Sequence, residues 1–63
     1  MTIGYHIRKY RISKGWTLQE LGERSDLAAN TLSAVENDKK ALSIIALRRV
    51  ASALGVDVDY LFK

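Results

Sequence analysis

Apolar residues recur along this chain at helical spacing, in short blocks punctuated by small or polar residues. Ile3, Ile7 and Tyr10 fall at i, i+4 and i+7, one stripe of a helix expected from Ile3 to Lys14. Gly15 is placed to take the left-handed conformation that ends it. A second helix starts after Thr17, with Glu20 three residues on as a capping box, and ends near Arg24 or Ser25. A third runs from about Ala29 to Asn37. A fourth, capped by Ser43 and stopped by Gly55, turns Leu47, Val50, Ala51 and Leu54 inward. A last short helix is expected near Asp57, carrying Val58, Leu61 and Phe62, with Asp57 and Asp59 capping and charging its start. Strand-like alternation is missing apart from the brief VDV at 56–58. Each helix has two or three turns and is marginal alone, so folding must be collective around one core.

The stretch TLQELGERSDLAANTLSAVE, residues 17–36, is the most informative. Leu18 and Leu21 precede a small residue, Gly22, and a turn at Asp26 and Leu27 leads to Leu32 and Val35. Two short helices on this pattern can cross tightly, because Gly22 has no side chain to hold them apart. The second then keeps a polar outer face of Asn30, Thr31, Ser33 and Asn37. That geometry is the helix-turn-helix, whose second helix enters the DNA major groove.

The 63 residues make one domain, 1–63. So short a chain buries about 60% of its unfolded surface, so its stability is modest. With no cysteine there is neither disulfide nor thiolate–zinc staple. The net charge of +3 is mild, but its placement is informative. Arg8, Lys9, Arg11 and Lys14 lie early, and Lys39, Lys40, Arg48 and Arg49 follow the third helix, so the basic footprint is expected on one side. No apolar window is long enough to span a membrane and no signal-peptide core is present, which makes the cytoplasm the expected location. His6 has no companion ligands, so no metal is expected. The serines lack a matching base, and there is no glycine-rich phosphate loop. The chain therefore reads as no enzyme, without cofactor or small-molecule ligand. The scattered aromatics Tyr5, Tyr10, Trp16, Tyr60 and Phe62 read as core packing rather than a stacking platform.

On three blocks in order, IGYHIRKYRISKGWTLQELGERS, TLSAVENDKK and LRRVASALGVDVDYLF, the chain resembles the Cro/cI-type (XRE, phage-repressor-like) helix-turn-helix family. The resemblance covers almost the whole chain, and the TLxEL form of the second helix is similar to the branch of SinR-like regulators. It implies an all-α, five-helix, lambda-repressor-like DNA-binding domain that binds two half-sites as a homodimer and regulates transcription as a repressor. It also implies a structural ion pair between Arg11 and Glu36. Such a pair acts as a specificity device more than a large net stabiliser, since desolvation offsets most of the Coulomb gain.

The departures from the family pattern are Asp26 for the turn glycine, Ala28 at the usual Ser/Thr N-cap, Asp38 for a glycine, Leu42 for a proline and Leu18 for a glutamine. Together they point to a strained or mobile turn, or to altered docking on DNA.

On the same pattern the base-reading positions are Ala29, Asn30, Ser33 and Ala34. Asn30 can bond an adenine edge through N6 and N7, a contact that discriminates by about 1–3 kcal/mol. Ser33 is less selective, and the alanines can touch a thymine methyl. Phosphate contacts are expected from Thr17, Gln19, Asn37, Lys39 and Lys40, helped by the amides that open the second helix. Arg8, Lys9, Arg48 and Arg49 read as surface or packing residues. The expected dimer interface is Val56, Val58, Tyr60, Leu61 and Phe62, joined by Ile44 or Ile45, which cannot both point inward; the alternative is that this surface closes the monomer's own core. The thin reader face leaves a second class of function open, a protein-interaction module such as an antitoxin or antirepressor-binding domain with secondary DNA binding.

Overall fold

A computed structural model describes residues 1–63. Four α-helices follow one another: α1 (Ile3–Ser13), α2 (Leu18–Ser25), α3 (Ala29–Glu36) and α4 (Ile44–Leu54). The fifth expected helix is instead one 3-10 turn, Val58–Leu61. Asp57 occupies its cap position but makes no side-chain cap bond, so nothing local extends those four residues into an α-helix.

Polar side chains start three of the helices. The Thr2 hydroxyl accepts the Tyr5 N–H at 3.0 Å, and Ser43 accepts the Ala46 N–H at 3.2 Å. At α2 a full capping box forms: Thr17 accepts from Glu20 N–H, and the Glu20 carboxylate accepts from Thr17 N–H, both at 3.0 Å. Hydrogen bonding to the carboxylate from Thr17, its backbone N–H foremost and then its side chain, holds the Glu20 carboxyl below its ordinary pKa. Only α3 starts bare, because Ala28 has no atom to offer its amides. The stop of α4 is the left-handed Gly55, φ +75°.

The core is Ile7, Leu21, Leu32, Val35, Leu47, Val50, Ala51, Leu54 and Leu61, all buried. Every element contributes to it, and burial of one Leu or Ile side chain stabilises by about 1.5–3 kcal/mol. Helix α2 packs on α3 and α4, while α1 lies against α3 and the 3-10 turn. Leu61 thus belongs to the monomer's own interior, which removes it from the expected dimer surface. Tyr5, Tyr60 and Phe62 correct the core reading of the aromatics: each stays about half exposed. Tyr10 and Trp16 are partly buried against the core. His6 is buried on α1, and its Nε2 donates to the Lys63 carbonyl, fastening the C-terminal residues onto the first helix. Its Nδ1 has no partner.

Close approaches fix the frame around α3. A Cβ built on Gly22 falls 2.4 Å from the Leu27 carbonyl oxygen, so the α2–α3 turn folds directly over the glycine backbone. A second glycine does the same on α1, where a Cβ on Gly4 falls 2.1 Å from the Val35 carbonyl oxygen. Gly4 lies outside the apolar stripe of α1 and carries no periodic signal. A glycine inside a helix costs about 1 kcal/mol relative to alanine, and that cost is itself a signal of close packing.

Candidate nucleic-acid interface

The α3 helix is eight residues long, and its periodicity divides it cleanly. Leu32 and Val35 are buried. Asn30 is exposed on the other side, with Ala29, Ser33 and Ala34 half-buried beside it. At 100° per residue, Asn30, Ser33 and Asn37 share one narrow outward strip. Neither the Asn30 amide nor the Ser33 hydroxyl is used in any side-chain hydrogen bond within the chain, so both are free to meet a ligand.

Both ends of α3 are unusual. Asp26 lies in the left-handed region, φ +59° and ψ +43°, and its N–H donates to the Gly22 carbonyl. Asp38 follows the helix at φ +60°. Aspartate tolerates this region better than most residues, but glycine does so without cost. With Ala28 offering no cap, α3 receives little from its own termini.

Its hold comes from packing and from one charged clamp. Arg11 Nε donates to Glu36 Oε2 at 2.7 Å, and Nη2 donates to Oε1 at 2.9 Å, a bidentate pair. The third arm, Nη1, donates to the Trp16 carbonyl at 2.7 Å. The side chains are 13% and 5% exposed. The hydrogen bonds to Glu36 raise the Arg11 pKa further above its ordinary value, with burial opposing. One guanidinium therefore ties α1, the α1–α2 loop and the end of α3 together.

Around this strip, Gln19, Lys39 and Lys40 are exposed and make no internal side-chain bond. Thr17 is engaged in its cap, which leaves only its O–H to donate outward. Asn37 is exposed, but its Nδ2 donates to the Ser33 carbonyl at 3.0 Å, closing the last turn of α3. Of the expected dimer residues, Val56 and Val58 are half-buried against the core, while Tyr60 and Phe62 face water. Both Ile44 and Ile45 are exposed, 51% and 66%. No group of three or more His, Asp or Glu side chains gathers at metal-ligating distance. No helix is long and apolar enough to cross a membrane.

The model of the helix-turn-helix family matches residues 7–61. The HTH-type transcriptional regulator SinR of Bacillus subtilis is 38% identical over 60 residues, which are 94% of this chain and 54% of that protein. The immunity repressor protein of Bacillus phage phi105 is 34% identical over 59 residues, 94% of this chain and 41% of that protein. This chain thus spans about half the length of these curated relatives. Among solved structures, SinR, described as the master regulator for biofilm formation and solved in complex with DNA, superposes with a TM-score of 0.93. It is 36% identical, and the match covers 98% of this chain and 100% of that one.

Proposed function

The chain belongs to the helix-turn-helix family, and from that premise we propose that it is the sequence-specific, double-stranded-DNA-binding domain of a transcriptional repressor, acting as a homodimer with α3 in the major groove. The observation that carries this reading is the division of α3. Leu32, Val35 and Glu36 are consumed by the frame, while Asn30 and Ser33 project from it with unused hydrogen-bonding groups. The likeness to SinR, solved with DNA bound, supports the same orientation.

Asn30 is the principal base reader, Ser33 a less selective one, and Ala29 and Ala34 the apolar contacts. Gln19, Lys39 and Lys40, with the Thr17 hydroxyl and the amides opening α2, hold the phosphates. Asn37 serves the phosphate less directly, since its amide is committed to α3. Tyr60 and Phe62, flanked by Val56 and Val58, form the face available to a second subunit. A pair of such domains sets two α3 helices about 34 Å apart, one turn of B-DNA. The work is done where DNA is kept, in the cytoplasm of the cell, and involves no catalysis.

Selection of bound fragments from a random DNA pool tests this reading directly. The expected product is a short motif in two-fold related copies. Asn30→Ala then weakens binding to that motif far more than to random duplex; equal losses on both remove Asn30 as a reader. Lys39→Ala with Lys40→Ala flattens the slope of log affinity against log salt by up to about two units. An unchanged slope moves the phosphate contacts elsewhere.

A further inference from the structure

The outer face of α4 takes no part in the proposed DNA contacts, and it lies apart from the Tyr60 and Phe62 face proposed for a second subunit. Turning Leu47, Val50, Ala51 and Leu54 inward sends Ile44, Ile45, Arg48, Arg49 and Ser52 outward. Two adjacent isoleucines therefore stand in water at the start of a helix, beside two arginines. Next to them the end of α2 completes a shallow concavity of about 530 Å3, in which Arg24, Ser25 and Asp26 face Ile45, Arg48, Arg49 and Ser52. Three guanidinium groups and a single carboxylate line it. None of the three arginines has an ion-pair partner, since the one such pair in the chain joins Arg11 to Glu36. Arg24 already rests on an aromatic ring: its guanidinium carbon lies 4.3 Å from the centroid of the Trp16 ring. A ligand held by Arg24 therefore meets a partly immobilised side chain, which lowers the entropy cost of binding.

Charge and apolar surface together select the occupant. A second copy laid on this face brings arginines against arginines, which like-charge repulsion opposes. A duplex satisfies the arginines but leaves Ile44 and Ile45 against a charged, hydrated backbone. A protein segment with carboxylates flanking an apolar side chain satisfies both. Carboxylates match the guanidinium fork, and an apolar anchor removes the isoleucines from water.

We propose that the groove between α2 and α4 is a docking surface for an acidic, amphipathic protein segment, with its apolar side chain on Ile44 and Ile45 and its carboxylates on Arg24, Arg48 and Arg49. None of the base-reading residues lines this groove, so the proposal stands apart from the DNA reading and can fail without it.

The test is a nuclear magnetic resonance titration of the 63-residue chain. The probe is a synthetic helical peptide of roughly fifteen residues, with leucines at i and i+4 set among glutamates. Saturable amide shifts are expected at Arg24, Ile45, Arg48, Arg49 and Ser52. The double variant Arg48→Gln, Arg49→Gln, on the exposed face of α4, keeps the folded spectrum, keeps duplex binding within about threefold, and loses at least about tenfold in peptide affinity, or 1.4 kcal/mol. The proposal is overturned by the absence of saturable shifts, or by equal binding of a lysine-for-glutamate peptide. It is equally overturned if a DNA duplex shifts these same amides, or if they shift with protein concentration alone.

Discussion

Replacing Gly22 by alanine puts two effects in opposition, and the structure says which prevails. Alanine is favoured over glycine inside a helix by about 1 kcal/mol. The added methyl, however, falls 2.4 Å from the Leu27 carbonyl oxygen, whereas ordinary contacts begin at 3.4 Å. The turn must retreat by about 1 Å, and the obstructing atom is backbone, bonded on either side into the turn, so no rotamer change relieves it. Overpacking of this kind costs about 1–3 kcal/mol, and because backbone must move this case falls in the upper part, about 2–3 kcal/mol. After the propensity gain the expected net loss is about 1–2 kcal/mol. In a domain of this size each kcal/mol lowers the melting temperature by roughly 4–8 °C. Thermal unfolding followed by far-ultraviolet circular dichroism should therefore show Gly22→Ala melting roughly 4–16 °C below the parent. Ser52→Ala, on an exposed face of α4, serves as the control and should be neutral or slightly stabilising. If Gly22→Ala melts at or above the parent, the tight crossing of α2 and the turn is wrong, and with it the stated placement of α3.

Four further substitutions probe the same frame. Ala28→Ser gives α3 the cap it lacks and should raise the urea midpoint by the equivalent of about 0.5–2 kcal/mol, with Asp26→Gly adding up to about 1 kcal/mol by relieving a left-handed aspartate; unchanged midpoints would mean that α3 is not limited by its ends. Arg11→Met leaves the Glu36 carboxylate and the Trp16 carbonyl without their donor and should cost about 3 kcal/mol, so a loss under about 1 kcal/mol would make the clamp incidental. Because the Glu20 carboxyl is held below its ordinary value of 4.5, its contribution is complete above that pH and fades as acid carries the chain through the lower folded-state value. Glu20→Gln should shrink the acid limb of the stability profile and leave the neutral region nearly unchanged; an identical acid limb would exclude the capping box as its source.

The parts of the fold written as periodicity were legible from the sequence, because apolar spacing, Thr17, Ser43 and the two stop glycines act through neighbours in the chain. The α4 core positions Leu47, Val50, Ala51 and Leu54 are an example. The last segment was not legible in this way. Val58, Leu61 and Phe62 have helical spacing, yet four residues after a stop glycine settle into a 3-10 turn once Leu61 is drawn into the core. Tyr60 and Phe62 look like core by type, but that same turn directs them to water. The role of Gly4 depends on a carbonyl 31 positions away in the chain, at Val35, and no local pattern encodes that distance. Arg48 and Arg49 read as surface or packing residues, and Arg24 only as the end of a helix, for the same reason: only the packing of α2 on α4 gathers them.

The Asn30 and Ser33 side chains on the outward strip of α3 are free of structural duties, and this has a consequence for how the domain can change over time. Asn30 and Ser33 brace nothing, whereas Leu32, Val35 and Glu36, interleaved between and after them, brace a great deal. Letters can be exchanged at the first set while the second stays constant, so a lineage can drift toward a new address without passing through unfolded ancestors. On the proposed reading, recognition is a replaceable face on a fixed hinge-pin, and the guanidinium of Arg11 is the pin.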